Sequence, residues 1–253
     1  MKEARVSPSD IEASPIAMCL ATELAECSIS STIEIYQAAV EIALSFSTGS
    51  AVSETERHDH AVEHYAAARL AEVMNASSGV LGSQDLLFPQ AIIGARSQTV
   101  LRPPRLSKYG DQRGKPVGAL WTSSFLASER PTWTAMTETG YVPVEETLEY
   151  VELIARKDDV QVFAIRSSAD FASLCDEFAC VSPQGDLTID WIRVADSYHA
   201  VHLTFAGLIL AQANPVRTRA GTMTLQGWDS ESTAWLRLPA SARLGKRRVV
   251  VKS

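Results

Sequence analysis

The feature that most constrains this chain is a change of hydrophobic period close to Pro89. Before it, apolar residues recur at helical spacing and nothing alternates in the manner of a strand. The run after Pro15, IAMCLATELAEC, is apolar on one side. From Ser30 and Ser31, both suited to cap a helix, Ile33, Tyr36, Val40, Ala43 and Leu44 continue the spacing to Gly49. A third helix is expected from Ser53, with Glu56 as its capping-box partner, through Val62, Ala66, Leu70 and Val73 to Gly79. After Pro89 the segments SQTVLRPP, PVGALWTSS, VQVFAIRS, AVHLTFAGLILAQ, TMTLQGW, STAWLRLP and RRVVVKS read as strands. Helices are expected between them at 144–156, 168–178 and 190–197, the last two opened by Ser168 and Asp190. The elements mix without regular β-α alternation, which predicts α+β, with a boundary near residue 90.

Charge follows the same division. Residues 1–90 carry 4 Lys+Arg against 13 Asp+Glu, and residues 91–253 carry 19 against 17, which together give the −7 of the chain. An acidic surface repels phosphate backbones and argues against nucleic acid as a partner. The four cysteines, Cys19, Cys27, Cys175 and Cys180, form no C-x2-C pair and are expected as free thiols. With no signal-like N-terminus and no long apolar run, a cytoplasmic protein without a membrane partner is expected.

Two stretches suggest chemistry. His60-Ala61-Val62-Glu63-His64 fits H-x-x-E-H, the pattern of inverted zinc peptidases, with two histidines to bind zinc and a glutamate to activate water. However, Val62, Ala66, Leu70 and Val73 point nearly opposite to His60 and His64, so the pair is expected on a solvated face, without catalytic metal.

The second is the run GWDSESTAWLRLP at 227–239. A turn over Gly227–Ser230 delivers Glu231 to the start of a strand. Alternation puts Glu231, Thr233, Trp235 and Arg237 on one face, and Ser232, Ala234, Leu236 and Leu238 on the other. Upstream, Arg102 ends TVLR before two prolines, and in GALWTSSF Trp121 and Ser123 share one face while Leu120 and Thr122 share the other. An arginine on one strand, a Ser/Thr step after an aromatic on a second, and a glutamate opening a late strand occur here in that order. In this, residues 98–252 resemble the arginine-serine-glutamate branch of the ADP-ribosyltransferase superfamily.

The resemblance implies a split β-sheet core that clasps NAD as a substrate, preceded here by a helical N-terminal domain over residues 1–90. It implies that Glu231 is catalytic, stabilising positive charge on the ribose as the nicotinamide bond breaks. Asp229, two residues earlier where Gln or Glu is more usual, would bear on the acceptor, which stays open as protein, small molecule or water. Arg102 would bind the pyrophosphate, Trp121 would stack nicotinamide, and Thr122 and Ser123 would hydrogen-bond the glutamate or ribose. The alternatives are the zinc peptidase and a catalytically silent module that binds a nucleotide or a protein.

Overall fold

The computed structural model describes residues 5–27, 29, 31–48, 60–82, 85–93, 100–111, 113–127, 130–139 and 147–251. Helices α1 (Pro8–Glu12), α2 (Pro15–Glu26), α3 (Thr32–Thr48) and α4 (His60–Ala76) precede the first strand. The other helices are α5 (Thr134–Glu138), α6 (Ser168–Phe178), α7 (Trp191–Ser197) and α8 (Phe205–Leu210). The strands begin with β1 (Gln90–Ile93), β2 (Leu120–Thr122), β3 (Phe125–Ala127), β4 (Arg130–Pro131) and β5 (Thr147–Ile154). There follow β6 (Val162–Ile165), β7 (Ala179–Val181), β8 (Leu187–Ile189) and β9 (Ala200–Leu203). The last four are β10 (Pro215–Thr218), β11 (Gly221–Thr224), β12 (Ser232–Trp235) and β13 (Arg243–Val251). The fold is mixed α+β.

The N-terminal helices form where side-chain caps allow. Ser7 and Asp10 make a reciprocal capping box on α1, Ser14 caps α2, and the Ser31 hydroxyl accepts from the Glu34 N–H at 3.2 Å to open α3. On α4 the buried face is Ala66, Ala67, Leu70, Ala71 and Met74, while Val62 and Tyr65 are exposed. The apolar stripe is therefore rotated from the expected one, because small alanines let α4 pack closely on its neighbours. The expected cap at Ser53 and Glu56 lies outside the described residues.

A four-stranded sheet, ordered β2-β12-β9-β6, sits at the centre, parallel only between β6 and β9. Its Val201, Leu203 and Ala234 join a core that runs without a break through Ile16, Leu20, Tyr36, Val40 and Leu70 of the helices. Residue 90 thus divides two kinds of secondary structure but not two cores. Ala200 and Trp235 join a second cluster with Leu86, Ile92, Val151 and Leu153. That cluster fills the space toward a three-stranded sheet, ordered β1-β5-β13. The two sheets touch where Ala91 and Ser123 exchange backbone hydrogen bonds at 2.7 and 3.0 Å.

Four expectations are corrected. Residues 147–154, expected within a helix, form the middle strand β5, where Val151 and Leu153 serve the core and both edges are paired. Cross-strand pairing here overrides local helix propensity. Of the segment read as one strand after Ala200, Phe205–Leu210 is instead helix, capped by the Thr204 hydroxyl on the Gly207 N–H at 3.0 Å. Residues 100–107 carry no strand, so Arg102 sits in an irregular, exposed segment. The cap of α6 is Ser167 rather than Ser168, whereas Asp190 caps α7 as expected.

Among the described residues no helix is long and apolar enough to cross a membrane. The four cysteines are free; Cys175 is buried, and burial pushes its thiol up to about 12.

Gly207 lets α8 lie directly on β6. A Cβ at that position would stand 2.0 Å from the Ile165 carbonyl oxygen and 2.8 Å from a Leu203 methyl. The Ile165 carbonyl cannot retreat without moving the central sheet. Gly207→Ala is expected to destabilise the fold by about 1–3 kcal/mol, as overpacking does. Urea denaturation reads this directly: an unchanged midpoint would mean that α8 is not wedged against the sheet.

Candidate active site

The turn before β12 is shaped by its backbone. Gly227 and Asp229 both take positive φ, 73° and 56°, a conformation that glycine adopts freely and aspartate tolerates. Asp229 is held there from two directions. Its N–H donates to Gln212 Oε1 at 2.9 Å, and its Oδ1 accepts from Gln212 Nε2 at 3.1 Å and from the Ser47 hydroxyl of α3. Lys115 Nζ caps the Gly227 carbonyl at 2.7 Å.

Glu231 follows, 2% exposed. Its Oε2 accepts from the Ser124 N–H at 3.0 Å and the Thr132 hydroxyl at 2.8 Å, and its Oε1 accepts from the Ser124 hydroxyl at 2.8 Å. Its own N–H donates to the Tyr36 hydroxyl at 2.9 Å, and Tyr36 also meets the Ser230 hydroxyl at 2.7 Å. Burial raises the Glu231 carboxyl to about 7, and the bonds from Ser124 and Thr132 oppose the rise. Burial pushes the Tyr36 phenol up as well.

His202 Nδ1 lies 3.6 Å from Glu231 Oε1, yet the two do not form an ion pair at neutral pH. Burial lowers His202 to about 4, so the ring is neutral, and Nδ1 has a closer partner in the Thr233 hydroxyl at 3.0 Å. Thr233 and Thr122 both donate to Gln90 Oε1, at 2.9 and 2.8 Å. Gln90 Nε2 donates to the Leu87 carbonyl and to the Ser124 hydroxyl, both at 2.8 Å, and Trp235 Nε1 donates to Thr122 at 2.9 Å. A continuous polar network therefore runs from Trp235 and His202 through Gln90 to Glu231.

The residues singled out from the sequence are divided by this geometry. Thr122 and Glu231 belong to the network; Thr122 is tied to Gln90 and Trp235 rather than to the glutamate. Ser123 does not reach Glu231, because the strand alternation that turns Thr122 and Ser124 inward turns Ser123 to the opposite face. Its hydroxyl is buried without a hydrogen-bond partner. Trp121 is half-buried, edge-on to Trp228 at 4.9 Å, and the Lys115 ammonium lies 4.7 Å from its ring centroid. Asp229 points into its own hydrogen-bonded cradle. Arg102 is exposed, with no hydrogen bond or ion pair among the described residues.

Ser124, Thr132, Tyr36, Gln90 and His202 were not singled out. Alternation across TSS could have identified Ser124, which must share a face with Thr122. Tyr36 and Gln90 come from distant segments and leave no local signal.

The H-x-x-E-H pair sits on α4, where His64 Nδ1 meets Glu12 Oε1 of α1 at 2.7 Å and its side chain is 63% exposed. Among the described residues no three His, Cys, Asp or Glu side chains cluster as metal ligands.

Ser124→Ala removes the hydroxyl that donates to Glu231 Oε1 and accepts from Gln90 Nε2, while retaining the backbone N–H. The Glu231 carboxyl is expected to rise further above about 7, followed through its side-chain carbon resonance in a pH titration. An unmoved titration would mean that the hydroxyl does not stabilise the charge. No protein-family model, no curated protein and no solved structure matches this chain.

Proposed function

We propose that the chain is an NAD-consuming ADP-ribosyltransferase or NAD glycohydrolase whose catalytic carboxylate is Glu231. The observation that carries this reading is a buried glutamate at the start of a central strand, gripped by the hydroxyl and N–H that end the TSS strand beside it. In the resemblance drawn from the sequence, the glutamate and the Ser/Thr step act together, and here they are hydrogen-bonded. The two sheets that meet at Ala91 and Ser123 are compatible with a split-sheet core.

The chemistry fits such a carboxylate. Breaking the nicotinamide–ribose bond places positive charge on the ribose, and a fixed anion in a water-poor site stabilises it strongly. Ser124 and Thr132 hold the carboxylate in place and oppose the rise that burial imposes on it. The reading requires the ribose to enter beside Ser124 and Thr132. Arg102, exposed and unpaired among the described residues, is the proposed pyrophosphate contact, and the acceptor of the ADP-ribosyl group is left open between a protein, a small molecule and water. Asp229 acts by shaping the turn that delivers Glu231.

A second reading is favoured by one fact, the near-complete burial of Glu231 with both oxygens satisfied. A silent module that binds a nucleotide or a protein would retain this network for structure alone.

Incubation with NAD and measurement of free nicotinamide separates the two. The enzyme reading expects release, and a loss of at least about a hundredfold in turnover for Glu231→Gln, the usual order for one electrostatic group, with NAD affinity little changed. Because burial raises the Glu231 carboxyl to about 7, the ionised fraction grows with pH. The rate is expected to climb through about pH 7 and level off above it. Release at the parent rate by Glu231→Gln, or no release at any pH, refutes the enzyme reading. Arg102→Lys keeps the charge but loses the planar fork, so NAD is expected to bind more weakly; equal affinity would place the phosphate contact elsewhere.

A further inference from the structure

A cavity of about 200 Å³ is lined by residues of α6, α7, β8 and β11 together with Trp228. Its walls mix large apolar side chains, among them Phe171, Leu174, Trp191 and Trp228, with the polar Thr188, Thr222, Thr224 and Gln226. An engineered apolar cavity of about 150 Å³ takes up benzene, so this one can hold a single ring with a short arm. Arg113 is the one charged residue in the lining, and no carboxylate is among the lining residues.

Two polar groups there stand out, and one of them, Arg113, is half exposed and makes a single long ion pair. Thr188 is 8% exposed, and its hydroxyl is buried with no hydrogen-bond partner, an arrangement that folded proteins rarely leave unanswered. The Arg113 guanidinium donates no hydrogen bond among the described residues, and its nearest carboxylate oxygen, Asp229 Oδ2, is 3.9 Å away. It is also held in position. A Cβ at Gly227 would lie 2.5 Å from Arg113 Cδ, so the arginine stem lies across a backbone that only glycine leaves bare.

We propose that this cavity is a binding site for a small carboxylic acid bearing one aromatic or aliphatic ring. The ring packs against Phe171, Leu174, Trp191 and Trp228, and the carboxylate takes the Arg113 fork. The assignment stands on the cavity and does not depend on NAD chemistry at Glu231.

Calorimetric titration of the full chain with 3-phenylpropionate, and with 3-phenylpropanamide as its uncharged counterpart, tests it. Trp191 and Trp228 both line the site, so tryptophan emission reports binding independently. The acid is expected to bind, and Arg113→Gln to weaken it at least about tenfold, the scale of a lost charge-assisted hydrogen bond, with little effect on the amide. Met223→Trp is expected to fill the cavity and abolish binding of both. Thr222→Trp, at an exposed position of β11, provides a second block if the first variant fails to fold. Failure of both probes to bind at about ten millimolar, far above the affinity a ring and an ion pair provide together, overturns the proposal. So does acid binding unaltered by Arg113→Gln, or retained by a folded blocking variant.

Discussion

A carboxylate buried at the start of a central strand sets the terms for much of this structure. Moving the Glu231 carboxyl from 4.5 to about 7 corresponds to roughly 3 kcal/mol against the charged form. That is a sizeable share of the stability of a domain this size. It is tolerable because three donors, the Ser124 N–H and hydroxyl and the Thr132 hydroxyl, are directed at the two oxygens. The Ser124 N–H comes from the link between β2 and β3, the Thr132 hydroxyl from just past β4, and β12 itself is fixed by pairing on both edges. Removing any one of these supports leaves a buried charge short of a partner, which costs more than the bond itself contributes.

The same constraint explains why the N-terminal helices are inseparable from the sheets. Glu231 needs an acceptor for its own N–H, and the nearby Ser124 and Thr204 carbonyls already accept from the Thr132 and Leu208 N–H groups. Tyr36 of α3 supplies that acceptor, while Ser47, three helical turns later on the same helix, bonds Asp229. One helix thus fixes the end of the turn that aims the glutamate. A turn with two positive-φ residues would otherwise be prone to local opening, so its rigidity is borrowed from α3. The continuous core from Leu20 to Leu203 is the packing counterpart of this polar contact.

Much of the fold was legible where period and caps agree. Helices α2, α3 and α4, the strands β6, β9 and β12, and the Asp190 cap of α7 were all marked by local pattern. What failed had a non-local cause. The β5 segment reads as helix until both its edges are paired, and α8 reads as strand until Gly207 is seen to permit contact with the Ile165 carbonyl. At the site, alternation correctly separated Glu231, Thr233 and Trp235 from Ser232 and Ala234. It could not show that both faces are buried, since that depends on the second sheet. Nor could it choose between Ser123 and Ser124 as the partner of Glu231 without the position of the glutamate relative to β2. Arg102 was placed on a strand from two prolines that instead accompany an irregular segment.

The charge on Glu231 can be traced to a single carbonyl. The Leu87 oxygen can only accept, so the Gln90 group 2.8 Å from it must be the amide nitrogen, and Oε1 faces the two threonines. Thr122 and Thr233 must then spend their hydroxyl protons on Oε1. They accept in turn from the Trp235 indole and from His202, which fixes the proton of His202 on Nδ1. On its other side the Gln90 nitrogen donates to the Ser124 hydroxyl, leaving that proton free to point at Glu231 Oε1. Each bond removes the freedom of the next, and the sequence ends with donors on both carboxylate oxygens. A protonated Glu231 would need one of those donors to turn round, and Gln90 forbids it for Ser124. The network therefore favours the anion by its direction as well as by its proximity, and a neutral His202 can take part in it without contributing any charge.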